Sequence, residues 1–160
     1  MDFIQKLEAV EAIREMMARR VRCLDEKDWA GFAACYADDA VSYSFVSPDA
    51  PEDKVVGAKE IARRVAAVLE GVTTVHQIHL PEIEILSEDR AKGIFPLNDI
   101  LTRVQDGKRH WMRAYGHYRQ SYKKVDGRWL IDEHRLTRLL VENGVEPCDR
   151  PAEAGGAWRN

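Results

Sequence analysis

A chain of 160 residues with 45% apolar content is long enough for one domain with its own core. Its formal charge of -3 excludes the basic field that nucleic-acid binding needs, and no apolar run approaches the length of a membrane span. Cys23, Cys35 and Cys148 are odd in number and widely spaced, which argues against a disulfide framework or a zinc site and for a reducing, cytoplasmic setting.

The opening MDFIQKLEAVEAIREMMARR is charged throughout and lacks the apolar centre of a signal peptide. Phe3, Leu7, Val10, Met17, Val21 and Leu24 recur at steps of three and four, so residues 3–25 read as one long helix. Asp28 is placed to cap a second helix ahead of Trp29, Phe32, Ala33 and Tyr36. AVSYSF, 40–45, reads as a short strand, and SPDAPEDK, 47–54, as a loop. Gly57 and Gly71 frame a third helix with Ile61, Val65, Val68 and Leu69 inward. Strands are predicted over 73–86, 90–104, 109–124 and 128–141. Asp106-Gly107 and Asp126-Gly127 between them are hairpin signals, because both central turn positions need a positive φ. Helices followed by an antiparallel meander indicate an α+β domain, with helices on one face of the sheet. A domain over 1–142 and a tail over 143–160, with a late Trp158, complete the reading.

Several polar residues fall in apolar rows. Asp25 follows Val21 and Met17 on the inner stripe of the first helix, where an unpaired acid costs several kcal/mol. It is either paired there or a solvated helix-end acid. In TVHQIHLPEI, 74–83, His76 and His79 are an odd number of residues apart, so a regular strand sends them to opposite faces. Pro81 cannot donate to a ladder and predicts an irregularity. One extra residue there would let His76 and Ile78 continue inward into Ile83 and Ile85. His76 is then a core histidine or a site residue. Asp99 shares a face with Phe95, Leu97 and Leu101, and needs a donor or a wet cavity unless that face looks outward. Arg138, by simple alternation, shares a face with Leu130, Leu136 and Leu140; it could hold an anion, snorkel or pair with an acid. His110, His117 and His134 read as solvated or interfacial. Phosphate-loop, dinucleotide, GxSxG and HExxH motifs are missing from the sequence.

EAIREMMARRVRCLDEKDW, FAACYADDAVSYSF, TTVHQIHLPEIEI and GHYRQSYKKVDGRWLI together resemble the SnoaL-like branch of the nuclear-transport-factor-2-like superfamily. The nearest tone is that of its bile-acid 7α-dehydratase, scytalone dehydratase and lindane dehydrochlorinase group. The resemblance implies a cone, in which a curved sheet wraps against N-terminal helices around a deep pocket. It implies an Asp–His dyad at Asp25 and His76, an assisting acid at Asp99 and an arginine at Arg138. Arg20 stands where the bile-acid enzyme has a tyrosine; an arginine can steady an oxyanion but is a poor proton donor. Arg20, Trp29, Tyr43 and Ile78 are candidate substrate contacts, and Tyr43 an alternative proton donor. The implied reaction is elimination on a small hydrophobic or cyclic carbonyl compound, with no cofactor and no metal. A homo-oligomer, trimer or dimer, is the implied assembly. The same fold could instead serve as a ligand-binding or dioxygenase-subunit-like assembly module, or as a ketosteroid-isomerase-like enzyme using a carboxylate base.

Overall fold

The computed structural model describes residues 1–43 and 54–148. Most of the loop expected over 47–54, the end of the strand expected over 40–45 and Trp158 lie outside the described residues. The first helix, α1 (Phe3–Glu26), opens on a capping box. The Asp2 carboxylate accepts from the Gln5 N–H and the Gln5 side chain accepts from the Asp2 N–H, both at 2.8 Å. Ala9, Ile13, Met16, Met17, Arg20, Val21 and Leu24 form its buried face. Phe3 and Leu7, which the periodicity places on the same stripe, are exposed, because burial of that stripe begins only at Ala9.

The Asp28 carboxylate caps α2 (Trp29–Ala33) as expected, accepting the Gly31 N–H at 2.9 Å. This helix is shorter than its apolar stripe suggested. Tyr36 begins β1 (Tyr36–Ser42) instead of continuing it, since the Ile131 N–H bonds to the Cys35 carbonyl at 2.9 Å and draws the chain into the sheet. A short β2 (Val55–Val56) pairs with β1, and α3 (Ala58–Val68) follows. Ala58, Ile61, Ala62 and Leu69 are buried there, whereas Val68, expected inward, is 56% exposed at the helix end.

The strand predicted over 73–86 is two strands, β3 (Thr73–Ile78) and β4 (Glu82–Ile85), both antiparallel to β5 (Arg90–Gln105). Ile78 pairs with Leu97 and Glu82 with Ile94, so residues 79–81 oppose only 95 and 96. That extra residue resets the alternation. Ile83 and Ile85 turn inward as expected, while Leu80, within the irregularity, is exposed to solvent. Hairpins then lead to β6 (Lys108–Val125) and β7 (Arg128–Pro147). Asp106 and Gly107 have φ of 52° and 69°, Asp126 and Gly127 49° and 79°, the left-handed geometry that the Asp-Gly pairs predict. β7 continues through Asn143 to Pro147, past the strand end expected at 141.

The seven strands lie in the order β2-β1-β7-β6-β5-β3, with β4 also on β5. β1 joins β7 in parallel, so the sheet is mixed; the other pairings described are antiparallel. It curves as an open cone, with α1 packed against β3, β4 and β7. Two register shifts in β7, at Asp132 and Leu139, change its phase. Arg138 therefore shares the inner face with His134 and Leu136, not with Leu130 and Leu140 as unbroken alternation had it. The second shift lies opposite Gly116, where a Cβ would sit 2.0 Å from the Thr137 carbonyl oxygen, so only glycine fits. Among the described residues, no helix is long and apolar enough to cross a membrane.

Candidate active site

The last turn of α1 brings Asp25 against β3. One carboxylate oxygen accepts the His76 backbone N–H at 2.9 Å. The other lies 2.6 Å from His76 Nδ1 and 2.8 Å from the Thr74 hydroxyl, which donates to it. An ionised carboxylate only accepts, so Nδ1 carries the ring proton and Nε2 keeps its lone pair. The backbone and side-chain contacts together hold the imidazole at two points, and its side chain is 7% exposed.

His76 and Asp99 are direct partners across β3 and β5. Asp99 Oδ2 lies 3.8 Å from Nε2, too far for a hydrogen bond. Arg138 grips Asp99 in a bidentate pair at 2.9 and 2.7 Å. It reaches diagonally over β6, which presents Ala114 opposite Asp99 and Gly116 opposite Arg138. Two small residues leave room for the long side chain to cross. Asp99 is almost fully buried and Arg138 is partly open, its side chain 27% exposed. Asp25, His76, Asp99 and Arg138, picked out separately in the sequence, thus form one line of contacts on the concave face.

His79 turns the other way, as its odd offset from His76 requires, and its Nε2 lies 2.8 Å from the side-chain oxygen of Asn98. Ile78 lies two residues along β3 from His76 and is half-buried beside the core. Trp29 packs edge-on against Phe32 and borders a cleft of about 770 Å³ that also touches Asp25, Lys27 and Thr73. Tyr43 is not brought to the dyad. Its ring stacks under the Arg135 guanidinium at 4.1 Å, and Arg135 lies on the opposite side of β7 from His134 and Arg138.

Arg20 is also apart from the dyad. Nε donates to the Tyr36 hydroxyl at 2.8 Å, and Nη2 to His134 Nε2 at 3.3 Å. Its guanidinium lies 4.6 to 5.6 Å from the ring centres of Tyr118, Phe32 and Tyr36. Burial works against its charge, but Tyr36 and Tyr118 outweigh that and hold it protonated. Burial pushes the Tyr36 hydroxyl up to about 12 and the Cys35 thiol up to about 11, so neither ionises near neutrality.

His134, whose sequence context reads as solvated or interfacial, is buried. Nε2 faces an Arg20 N–H at 3.3 Å, and Nδ1 lies 2.8 Å from the Gln120 side-chain nitrogen. Burial first, and Arg20 second, hold His134 neutral well below the ordinary imidazole range. The unfolded chain takes up this proton near pH 6.5 and the folded one does not, so stability falls as pH drops below that point. The slope of unfolding free energy against pH, followed by denaturant titration from pH 7 to 5, should be shallower in His134→Gln than in wild type.

Lys27 and Thr74 complete the surroundings of Asp25 and were not singled out in the sequence. Thr74 shares the inward parity of His76, and Lys27 ends α1 in a left-handed conformation with φ 62°. A lysine where glycine or asparagine is usual was visible only once the helix end was fixed.

The structure therefore defines an α+β cone with a histidine–carboxylate pair on its concave face. The chain belongs to the SnoaL-like domain family, whose model matches residues 5–135. Among solved structures it is similar to a protein provisionally named scytalone dehydratase from Novosphingobium aromaticivorans DSM 12444, with a TM-score of 0.79 and 21% identity over 98% of this chain and 99% of that one. A hexachlorocyclohexane dehydrochlorinase, LinA type 2, superposes with a TM-score of 0.78 at 16% identity over 94% and 99% of the two chains. LinA type 3 from Novosphingobium barchaimii LL02 gives 0.76 at 16% identity, over 94% and 99%. At such identities these likenesses concern the fold.

Proposed function

We propose that the protein is a small-molecule lyase that uses His76 as a general base, oriented by Asp25, without a cofactor. The observation that carries this reading is the fixed tautomer: Nδ1–H is bound to Asp25 at 2.6 Å and Nε2 is left facing Asp99. Nε2 takes a proton from a carbon made acidic by a neighbouring carbonyl. The C–H electron pair becomes the new double bond, and the group on the adjacent carbon leaves with its own bonding pair. The imidazolium returns its proton to a departing hydroxyl, releasing water; when a halide departs as the anion, the proton passes to solvent. Asp25 and Asp99 stabilise the imidazolium during this interval. Arg138 retains N–H donors beyond the two spent on Asp99, and these can polarise the substrate carbonyl.

The dehydratase and dehydrochlorinase names among the structural neighbours favour elimination over other chemistry on this fold. A carboxylate-base isomerase is less well served, because both oxygens of Asp99 are engaged by Arg138. The test is a panel of cyclic ketones bearing a β-hydroxyl or β-halide, with the conjugated product followed by ultraviolet absorbance. Product should form with the wild-type protein. Tight binding across the panel without product would mark a binding module instead.

A further inference from the structure

From the Asp25 oxygen that meets the imidazole, the contacts continue in one direction. Lys27 Nζ lies 2.8 Å from the Thr74 hydroxyl oxygen, and the Thr74 hydroxyl lies 2.8 Å from Asp25. An ammonium can only donate. Thr74 must therefore accept from Lys27, and its single proton is committed to Asp25. The carboxylate then accepts from three donors, two of them on His76. The order Lys27, Thr74, Asp25, His76 has a fixed polarity from the edge of the cleft to the buried ring.

Lys27 holds this place at some cost. Its backbone is left-handed, with φ 62° and ψ 25°, a conformation that penalises any residue with a Cβ. Its Nζ lies 5.9 Å from the Trp29 ring of α2. Asp25 from α1 and Glu70, between α3 and β3, border the same cleft. The adjacent acids are engaged elsewhere: Glu26 pairs with Arg22, and Asp28 caps α2. His76 itself has a carboxylate near each ring nitrogen, Asp25 at 2.6 Å and Asp99 at 3.8 Å. The Lys27 ammonium places a positive charge one hydroxyl away from Asp25.

We propose that Lys27, acting through the Thr74 hydroxyl, is a positioning residue that orients the Asp25 carboxylate toward His76 and opposes protonation of its ring. Its role in turnover rests on the lyase reading above; its electrostatic coupling to His76 does not. Burial lowers the Lys27 ammonium from its ordinary range, against the pull of Asp25, so the relay fails from the alkaline side as Lys27 deprotonates.

The test is the titration of the His76 ring by nitrogen-detected NMR, which needs no substrate. In Lys27→Met the midpoint should move to higher pH by roughly half a unit or more. Lys27→Arg, which keeps the charge and the donors, should titrate as wild type does. Lys27→Gly separates charge from backbone: it relieves the left-handed residue and should melt no lower than wild type, yet shift the midpoint as Lys27→Met does. Thr74→Val should shift it in the same direction, and adding Lys27→Met to that variant should add little. Coincident midpoints in wild type, Lys27→Met and Lys27→Gly overturn the proposal, as does a wild-type midpoint in Lys27→Gly alone. A shifted midpoint in a protein inactive on every substrate would leave the coupling standing and remove the lyase reading.

Discussion

If His76 is the general base proposed above, His76→Ala should lower turnover by about 10²–10⁴-fold and leave the fold intact, because general-base catalysis is worth about that much. The ring is small, partly flanked by polar groups, and held at the edge of the core rather than within it. Its backbone N–H keeps its bond to Asp25 in the variant. Asp25→Asn should be as damaging to turnover for a different reason. The carboxylate accepts from three donors, and an amide can accept on one side only. Its NH₂ either opposes the His76 backbone N–H or faces Nδ1. In the second case the ring changes tautomer, and the proton sits on the nitrogen that should act as base. Steady-state turnover on a substrate from the carbonyl panel, with circular dichroism as the check on folding, measures both. Wild-type rates in the two variants would remove the dyad from the mechanism.

Arg138→Met destabilises the protein by about 3–5 kcal/mol, since it leaves a buried carboxylate without its counter-ion. Asp99 is 2% exposed and depends on two charge-assisted hydrogen bonds from this one guanidinium. The double variant Asp99→Leu with Arg138→Met should recover most of that loss, because no charge is then left unpaired. Urea titrations of the two variants measure the difference. If the single variant unfolds at the wild-type midpoint, Asp99 has another partner and the pair is not structural. Recovery of stability without recovery of turnover in the double variant would show that the pair is kept for chemistry.

The helices-then-strands order was legible because each element carries its own period, 3.6 or 2, and the two Asp-Gly turns carry their own geometry. His76 was placed correctly because Pro81 announces that the ladder breaks nearby. The same reasoning failed on β7, where nothing as plain as a proline marks the shifts at Asp132 and Leu139. The partial sign was on the neighbouring strand: Gly116, a lone glycine inside a strand pattern, is a bulge signal. Burial of His134 was illegible for another reason. Its partners Arg20, Gln120 and Tyr36 come from three separate elements, and only their meeting makes a neutral buried imidazole tolerable. Lys27 escaped notice because one residue's backbone conformation gives it its place, and composition does not encode that.

The surplus residue between β3 and β4 separates two requirements that an uninterrupted strand would tie together. Upstream, parity decides which histidine meets Asp25; downstream, it decides whether Ile83 and Ile85 reach the core. With a kink between them, each half is free to satisfy its own neighbours. A chain lacking one residue at 79–81 would have to sacrifice either the imidazole's orientation or the packing of two half-buried isoleucines against the core. The extra residue thus lets the geometry of the Asp25–His76 pair and the hydrophobic packing vary independently along a single wall of the cone.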